Sequence, residues 1–417
     1  MRRPAGENVR RGSTPQRGVA GDVSRHTSLR TAGTAPPERT SPARRLLRNG
    51  AVGLVLLGCL LAGVVLSVRQ AAEPPQHIAF SSPPSVDSTA KLARSSQPDV
   101  RVGGKVPAPP AGQVYWGAFA SGVPFRQSST AALTRRAGRR PAIVMWYQDW
   151  SGNFPARAAG RLARLGIVPM ITWEPWKPPK VAGRPATTQP RYRLARITAG
   201  AFDRYLTRYA REIKRYGGPV MLRPFHEMDG NWYPWGGTAN GNHPRDFVPA
   251  WRHVHNLFTR LGVHNVTWVW SLNATSVPLS RDNTPREYWP GARYVDWIGI
   301  SGFNFGRSRS FGSWVSFNTL FRARIAQLRR YHRPIAITEI SSVEDGGNKA
   351  AWIRQTFAQL RGYSRVRALI WYDHRDSRLQ DWRIRSSRAA QAAFRRAIAG
   401  RNIRSAPRAF QAATGGF

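Results

Sequence analysis

The chain has 417 residues, with 64 Lys and Arg against 22 Asp and Glu, which gives a formal net charge of +42. This length allows one large domain or two ordinary ones, and a single cysteine excludes any framework of intrachain disulfides. The charge favours anionic partners, either nucleic acid or an anionic polymer of the cell envelope, although a genomic preference for arginine codons would produce the same composition.

The N-terminal part of the chain divides into a polar tail and an apolar stretch. Residues 1–49 are rich in Arg, Ser, Thr, Pro and Gly, which predicts a disordered basic tail. Residues 50–68 (GAVGLVLLGCLLAGVVLSV) are 19 uncharged positions, the length that a transmembrane helix needs. Arg44, Arg45 and Arg48 precede this stretch, so the positive-inside rule places the tail in the cytoplasm. We therefore predict a single-pass cell-membrane protein whose folded domain is extracytoplasmic.

Two alternatives to a membrane span remain open for the same stretch. A cleaved signal peptide would have a shorter apolar core and a small-residue cleavage site. The LLGC sequence at 56–59 weakly resembles a lipoprotein box, and acylation of Cys59 would replace the span by a lipid anchor. Residues 69–111 are rich in Pro and Ser, which is typical of an exposed linker.

Short apolar runs then alternate with amphipathic or loop segments. The helix-like stretch at 201–216 places Phe202, Leu206, Tyr209 and Ile213 on one face. Eight such runs predict a (β/α)8 TIM barrel over residues 112–402, which we expect to be monomeric, followed by a tail at 403–417. An open doubly wound sheet is the alternative, but no GxGxxG follows any run. The runs are 114–119, 142–147, 167–173, 219–223, 266–272, 294–301, 334–339 and 366–372.

One segment after the fourth run, RPFHEMDGNWYPWG at 223–236, combines a His-Glu pair with several aromatic residues. A zinc protease would have HExxH, and no second His follows at that spacing. We therefore predict neither a metal nor another cofactor. Polar or aromatic residues also end other runs, and in a barrel the strand ends form the active site. The candidates are Trp173, Arg223, His226, Glu227, Phe303, Glu339 and Trp371.

Glu227 and Glu339 stand out because carboxylates are scarce, with 16 in residues 112–417 against 48 basic residues. Two carboxyl groups that face each other across a cleft suit glycoside hydrolysis, in which one protonates the leaving oxygen and the other attacks or activates water. Tryptophan faces stack on the apolar faces of sugar rings, and Trp173, Trp232 and Trp371 are available for this.

The motifs HEMDGNW at 226–232 and TEIS at 338–341 resemble those of glycoside hydrolase family 26, within the clan of retaining (β/α)8 glycosidases. The resemblance extends over about residues 113–385 and includes WGAF, TWEPW, VDWIGISGFN and IWYDH. It implies a hydrolase that acts on a β-linked polysaccharide, with β-1,4-mannanase, mixed-linkage β-glucanase and β-1,3-xylanase among the family's activities. TWEPW is more similar to the glucanase-like members.

Carried over by motif, the resemblance implies that Glu227 is the acid/base and Glu339 the nucleophile. It implies that His226 and Trp232 contact the substrate and that Trp371 is a stacking platform. Trp173 and Arg223 are further candidates for substrate binding. At strand six the family commonly has a Tyr whose hydroxyl bonds the nucleophile, whereas this chain has Phe303.

The sequence thus predicts a membrane-anchored retaining endo-β-glycosidase that acts on a β-glucan or β-mannan. A non-catalytic polysaccharide-binding or export-partner protein on the same barrel is the alternative, and Phe303 is the feature that favours it. Nucleic-acid binding would rest on charge alone, because no known nucleic-acid-binding module is found, so we expect no specific nucleic-acid partner.

Overall fold

The computed structural model describes residues 104–177, 187–310, 312–376 and 380–405. In these residues, eight parallel strands follow one another around a closed barrel, in which each strand pairs with the next and β8 pairs with β1. The predicted (β/α)8 barrel is therefore confirmed, and the open doubly wound sheet is excluded. The strands are Val114–Ala120 (β1), Ile143–Asp149 (β2), Val168–Glu174 (β3), Val220–Pro224 (β4), Val266–Asn273 (β5), Trp297–Asn304 (β6), Ile335–Ser342 (β7) and Val366–Asp373 (β8).

Helices cover the outside of the barrel because each has one apolar face. In the helix that precedes β4, Leu206, Tyr209, Ala210 and Ile213 are buried, as the 3.6-residue period predicts. Several of the later helices begin at a side-chain cap, such as Ser387, whose hydroxyl accepts from the backbone N–H of Ala390. The helices are Gln127–Ala137 (α1), Ala156–Arg164 (α2), Leu194–Thr198 (α3), Asp203–Tyr216 (α4), Phe247–Arg260 (α5), Phe317–Leu328 (α6), Lys349–Leu360 (α7) and Arg388–Ile398 (α8).

The strands direct alternate side chains into the barrel and towards the helices. In β2, Ile143, Met145 and Tyr147 belong to the apolar cluster inside the barrel, whereas Val144 and Trp146 belong to the cluster between the barrel and its helices. Since successive strand residues point to opposite faces, the register of each strand decides which aromatic residues can reach a ligand at the barrel mouth.

The folded region extends slightly beyond the boundaries predicted from the sequence. Val106, in the predicted linker, is buried; its N–H donates to the hydroxyl of Thr267, and its carbonyl accepts from the indole of Trp297. At the other end, Ile403 and Arg404 form a short strand (β9) that pairs with the start of β1. The boundaries at 112 and 402 therefore each cut off residues that belong to the barrel.

Several predictions concern residues outside those described. The predicted tail at 1–49, the span at 50–68 with Cys59, and most of the linker fall there, as do residues 406–417. Within the described ranges, no helix has both the length and the apolar character needed to cross a bilayer.

Candidate active site

Glu339 lies on β7 with its carboxylate held at both oxygens. Arg223 on β4 donates from Nη1 to Oε1 at 2.6 Å, and Tyr147 on β2 donates from its hydroxyl to Oε2 at 2.6 Å. Ser301 on β6 is a weaker partner, with its hydroxyl 3.5 Å from Oε1. Only 5% of Glu339 is exposed. The carboxylate is thus fixed in position by charge-assisted hydrogen bonds from two strands.

Arg223 is completely buried and joins three strands of the barrel interior. Besides Glu339, its guanidinium donates to the hydroxyls of Thr172 on β3 at 3.0 Å and Ser301 on β6 at 2.6 Å. Burial is the largest single effect and opposes the charge, but Glu339, Tyr147 and Glu227 together outweigh it and raise the pKa of Arg223. A permanent cation therefore stands beside Glu339, and the planar guanidinium fork sets its position.

Glu227 follows β4 in a backbone conformation that non-glycine residues rarely adopt. Its φ is 53°, and Phe225 two residues earlier has φ 51°. The N–H of Glu227 donates to the carbonyl of Ser271 at 2.8 Å, which fixes the turn. Such left-handed residues persist where the surroundings determine them, and they cluster at functional sites. Phe225 points outward and packs against Trp150, which leaves Glu227 on the barrel side.

The carboxyl of Glu227 is the second acidic group of this site. Its Oε2 accepts from the indole N–H of Trp232 at 2.9 Å. Burial, together with the nearby charge of Glu339, raises the pKa of Glu227 to about 8. Near neutral pH Glu227 is therefore largely protonated and can donate a proton.

Trp232 contacts Glu227 because the backbone at Gly230, in the loop after β4, passes very close to the Trp232 ring. A Cβ placed on Gly230 would lie 2.4 Å from the Trp232 ring, so only glycine fits at that position. Trp232 is 8% exposed. The sequence-predicted Trp232 therefore lies at the site, in contact with the carboxyl of Glu227.

His226 lies beside a third carboxyl, Glu174, at the end of β3. The Nε2 of His226 is 3.0 Å from the hydroxyl of Tyr233 and 4.0 Å from Oε1 of Glu174. Burial raises the pKa of Glu174 well above its usual range. Burial and the charge of Arg223 lower the pKa of His226 well below its usual range. Since both groups are driven towards their neutral forms, the 4.0 Å contact is a polar contact rather than an ion pair.

Two of the tryptophans predicted to bind substrate point away from the cleft. Trp371 on β8 is fully buried and packs edge-on against Trp352 of α7 and Phe394 of α8. Trp173 on β3 is also fully buried and stacks on Tyr209 of α4, with ring centroids 4.6 Å apart. The prediction that Trp371 and Trp173 are platforms for sugar is wrong, because their positions in the strand register face the helices.

Phe303 at the end of β6 is on the cleft side and partly exposed. Its ring contacts Trp382, with centroids 5.2 Å apart, and Tyr372 at 5.4 Å. Asn304, the neighbouring amide that could have replaced a tyrosine hydroxyl, points elsewhere. Its Nδ2 donates to Ser342, and its Oδ1 accepts from the N–H of Val315.

Tyr147, Glu174 and Tyr233 also lie at the site but are not among the site residues predicted from the sequence. Tyr147 ends the second apolar run, and its position two residues after Met145 is the period-two signal that places both inside a barrel. Glu174 directly follows the third run, at the end of β3, and keeps the same period after Met170 and Thr172. The contacts of Tyr147 with Glu339 and of Glu174 with His226 join parts of the chain that the closed barrel brings together, which no local sequence pattern specifies. Within the described ranges, no three His, Cys, Asp or Glu side chains are grouped so that they could hold a metal ion.

A closed (β/α)8 barrel with a fixed carboxylate on β7 and a second carboxyl just after β4 is the arrangement typical of barrel glycoside hydrolases. The family model described as glycosyl hydrolase family 26 matches residues 196–340, a range that includes Glu227 and Glu339. This match, over about a third of the chain, supports the resemblance to glycosyl hydrolase family 26 that the sequence motifs indicate.

Similar proteins include enzymes that act on two kinds of polysaccharide. Endoglucanase H of Acetivibrio thermocellus is 35% identical over 278 residues, which cover 65% of this chain but 29% of that protein. A mannan endo-1,4-beta-mannosidase of Bacillus subtilis is 27% identical over 142 residues, which cover 33% of this chain and 34% of that protein. The matched segments thus span about a third of either relative.

Among solved structures, the catalytic domain of an endo-beta-1,4-mannanase from Bacillus sp. JAMB-750 superposes with a TM-score of 0.55. It is 17% identical in sequence, and the match covers 72% of this chain and 90% of that one. This likeness supports the shared barrel fold.

Proposed function

We propose that the barrel hydrolyses a β-linked polysaccharide by double displacement, with Glu339 as nucleophile and Glu227 as acid/base. The observation that carries this proposal is the contrast between the two carboxyls. Arg223 and Tyr147 hold Glu339 as a hydrogen-bonded carboxylate, whereas burial and the charge of Glu339 keep Glu227 protonated, with a pKa of about 8. Two carboxyls whose surroundings differ in this way have the roles of base and acid that the reaction needs.

In the first step, a carboxylate oxygen of Glu339 forms a bond to the anomeric carbon while the glycosidic bond breaks. The electron pair of that bond goes to the leaving oxygen, which takes the proton of Glu227. The result is a glycosyl ester on Glu339, a departed sugar alcohol and an ionised Glu227. Trp232 donates to the carboxyl of Glu227 throughout and is positioned to stabilise the negative charge that forms there.

In the second step, ionised Glu227 takes a proton from water, and the oxygen of that water attacks the anomeric carbon. The ester bond breaks, and its electron pair returns to Glu339 as a carboxylate. The donors Arg223 and Tyr147 lie where that returning charge appears. The two displacements leave the product with the anomeric configuration of the substrate.

The substrate class is a β-glucan or β-mannan, with the β-glucan first. The 35% identity to Endoglucanase H supports a glucan, while the mannanase relatives support a mannan. The polar groups available to sugar hydroxyls are His226, Glu174 and Tyr233. Phe303 and Trp232 offer apolar contact.

The experiment is hydrolysis of a panel by the full-length chain. Mixed-linkage β-glucan, β-1,4-mannan and β-1,3-xylan are each incubated with wild type and with Glu339→Gln as the matched inactive control. Proton NMR of the first products should show the β-anomer before mutarotation. An initial α-anomer would contradict double displacement. Binding to these polymers without release of reducing ends would instead favour a non-catalytic polysaccharide-binding protein.

We further propose that the barrel is held outside the cell by a membrane span at residues 50–68. The 19 uncharged residues of this stretch and the preceding Arg44, Arg45 and Arg48 support this arrangement. Protease added to intact cells should digest the barrel and spare a tag placed on residues 1–49. A protected barrel would contradict this topology, and a mature chain that begins at acylated Cys59 would replace the span by a lipid anchor.

A further inference from the structure

Because Phe303 stands where the family commonly has a tyrosine at strand six, another group must orient the carboxylate of Glu339, the proposed nucleophile. The family resemblance expects a tyrosine hydroxyl on Glu339 from that strand, and this chain has Phe303. A carboxylate with a donor on only one oxygen could rotate about its last torsion and lose its line of attack. Several tyrosines among the described residues lie near Glu339, and the partners of their hydroxyls show which of them bonds the carboxylate.

Tyr372 and Tyr233 are both buried close to Glu339, but their hydroxyls are engaged with other groups. Tyr372 donates to Oδ1 of Asp376 at 3.3 Å, and the hydroxyl of Tyr233 is 3.0 Å from Nε2 of His226. Tyr147 is different, because its hydroxyl donates to Oε2 of Glu339 at 2.6 Å. It reaches the nucleophile from β2, across the barrel from β6.

The ring of Tyr147 is fixed by its neighbours. It meets Phe119 edge-on at 5.1 Å between centroids and His226 at 6.0 Å, and 6% of the residue is exposed. Burial raises the pKa of Tyr147 well above its usual range, so the hydroxyl keeps its proton as a donor. Arg223 occupies the other carboxylate oxygen, Oε1. Each oxygen of Glu339 therefore has one short hydrogen bond, and the two donors together fix the plane of the carboxylate.

We propose that Tyr147 on β2 is the positioning residue for Glu339 in this chain and replaces the hydroxyl that is lost at Phe303. This inference rests on the proposed function, because it assigns Glu339 the role of nucleophile. It predicts that the tyrosine hydroxyl can be supplied from either side of the barrel, and that this chain uses the side of β2. The presence of Phe303 is then compatible with full turnover.

The test compares four full-length proteins: wild type, Tyr147→Phe, Phe303→Tyr and the double variant. The substrates are mixed-linkage β-glucan and an activated dinitrophenyl β-glycoside. Tyr147→Phe should lower kcat by about 10- to 100-fold, the range for loss of one orienting donor, with little change in KM. Phe303→Tyr should recover at least about tenfold of that loss in the Tyr147→Phe background, since it restores a hydroxyl from β6.

Tyr372→Phe is the matched control, since it also removes a buried hydroxyl from the barrel interior but one that binds Asp376. If Tyr372→Phe lowers kcat as much as Tyr147→Phe does, the role of Tyr147 is structural and the inference fails. It also fails if Tyr147→Phe keeps wild-type kcat while Glu339→Ala is inactive, although the proposed function would then survive. An active Glu339→Ala protein would contradict both the inference about Tyr147 and the proposed function.

Discussion

The guanidinium of Arg223 and the carboxylate of Glu339 form an ion pair of 2.6 Å inside the barrel, with side chains 0% and 7% exposed. Removing water from two charges is costly, and Thr172, Ser301 and Tyr147 offset part of that cost with further hydrogen bonds to the pair. It joins β4 to β7, strands that are not neighbours in the barrel. The pair therefore contributes both to the placement of the nucleophile and to the integrity of the barrel interior.

Arg223→Met should be inactive and should also be less stable than wild type. Breaking a buried pair leaves an uncompensated carboxylate, which costs about 3–5 kcal/mol in the free energy of unfolding. Urea unfolding would measure that loss. Arg223→Met combined with Glu339→Gln removes both charges and should recover much of the stability without activity. If the single variant is as stable as wild type, the ion pair is not the main constraint on Glu339.

Glu339→Ala should abolish turnover, and added azide or formate should partly restore it. The small anion enters the space left by the carboxylate and attacks the anomeric carbon directly, so the product has the inverted configuration. Product analysis by NMR on an activated aryl glycoside provides the measurement. Glu344→Ala is the control, because Glu344 follows β7 on the surface and bonds Ser386. Restored activity with retained configuration would assign the nucleophile to another residue.

The fall of kcat/KM at alkaline pH, its alkaline limb, should follow the loss of the proton from Glu227. Its pKa is about 8, raised first by burial and then by the charge of Glu339. Because the acid form must donate the proton, kcat/KM should be high below pH 8 and should fall as pH rises through that value. Glu227→Gln should remove this limb with an activated aryl glycoside, whose leaving group needs no acid. A limb that persists unchanged in Glu227→Gln would contradict the assignment.

Trp232→Phe should move the alkaline limb to higher pH. The indole N–H donates to Glu227 and so favours its charged form, which lowers the pKa of that carboxyl. Loss of the donor should therefore raise the pKa further, while loss of charge stabilisation slows the chemical step. Trp371→Phe is the comparison, since its ring packs between helices α7 and α8. It should cost about 1–2 kcal/mol of stability, part of the larger cost of a full Trp truncation, and leave the pH profile in place.

Helix α4 provides a test of the expectation that the domain binds anionic polymers. Arg204, Arg208, Arg211 and Arg215 are exposed at spacings of four, three and four residues, which place them on one face. The helix's own carboxylates bind elsewhere, Asp203 to His253 and Glu212 to the N–H of Phe154. This row of four arginines should therefore attract polyanions, and the attraction should weaken as the salt concentration rises.

Replacement of all four arginines by Gln should weaken binding of inorganic polyphosphate by more than a matched change of four exposed arginines on other helices does. Titration at several salt concentrations gives the affinities. Equal losses in the two variants would mean that the net charge, rather than the row on α4, attracts the polymer. The control residues are Arg322, Arg354, Arg388 and Arg396.

The sequence alone determined the barrel and its two central carboxyls. Apolar runs bounded by polar residues give both the number and the order of the strands, because each buried strand must end where the chain returns to water. Seven of the eight strands begin within one residue of the predicted run. β6 begins at Trp297 rather than 294, because Ala292–Tyr294 form a short 3-10 helix before the strand.

The tertiary structure decided which side chains share the cleft. Trp173 and Trp371 have the composition of sugar platforms but fall on strand positions that face the helices, a fact of register that composition does not contain. Tyr147 lies 192 positions from Glu339 in the chain, yet its hydroxyl is 2.6 Å from that carboxylate. Closing the barrel brings together strand ends that are distant in sequence, and the donors that act on Glu339 are therefore set by the tertiary fold.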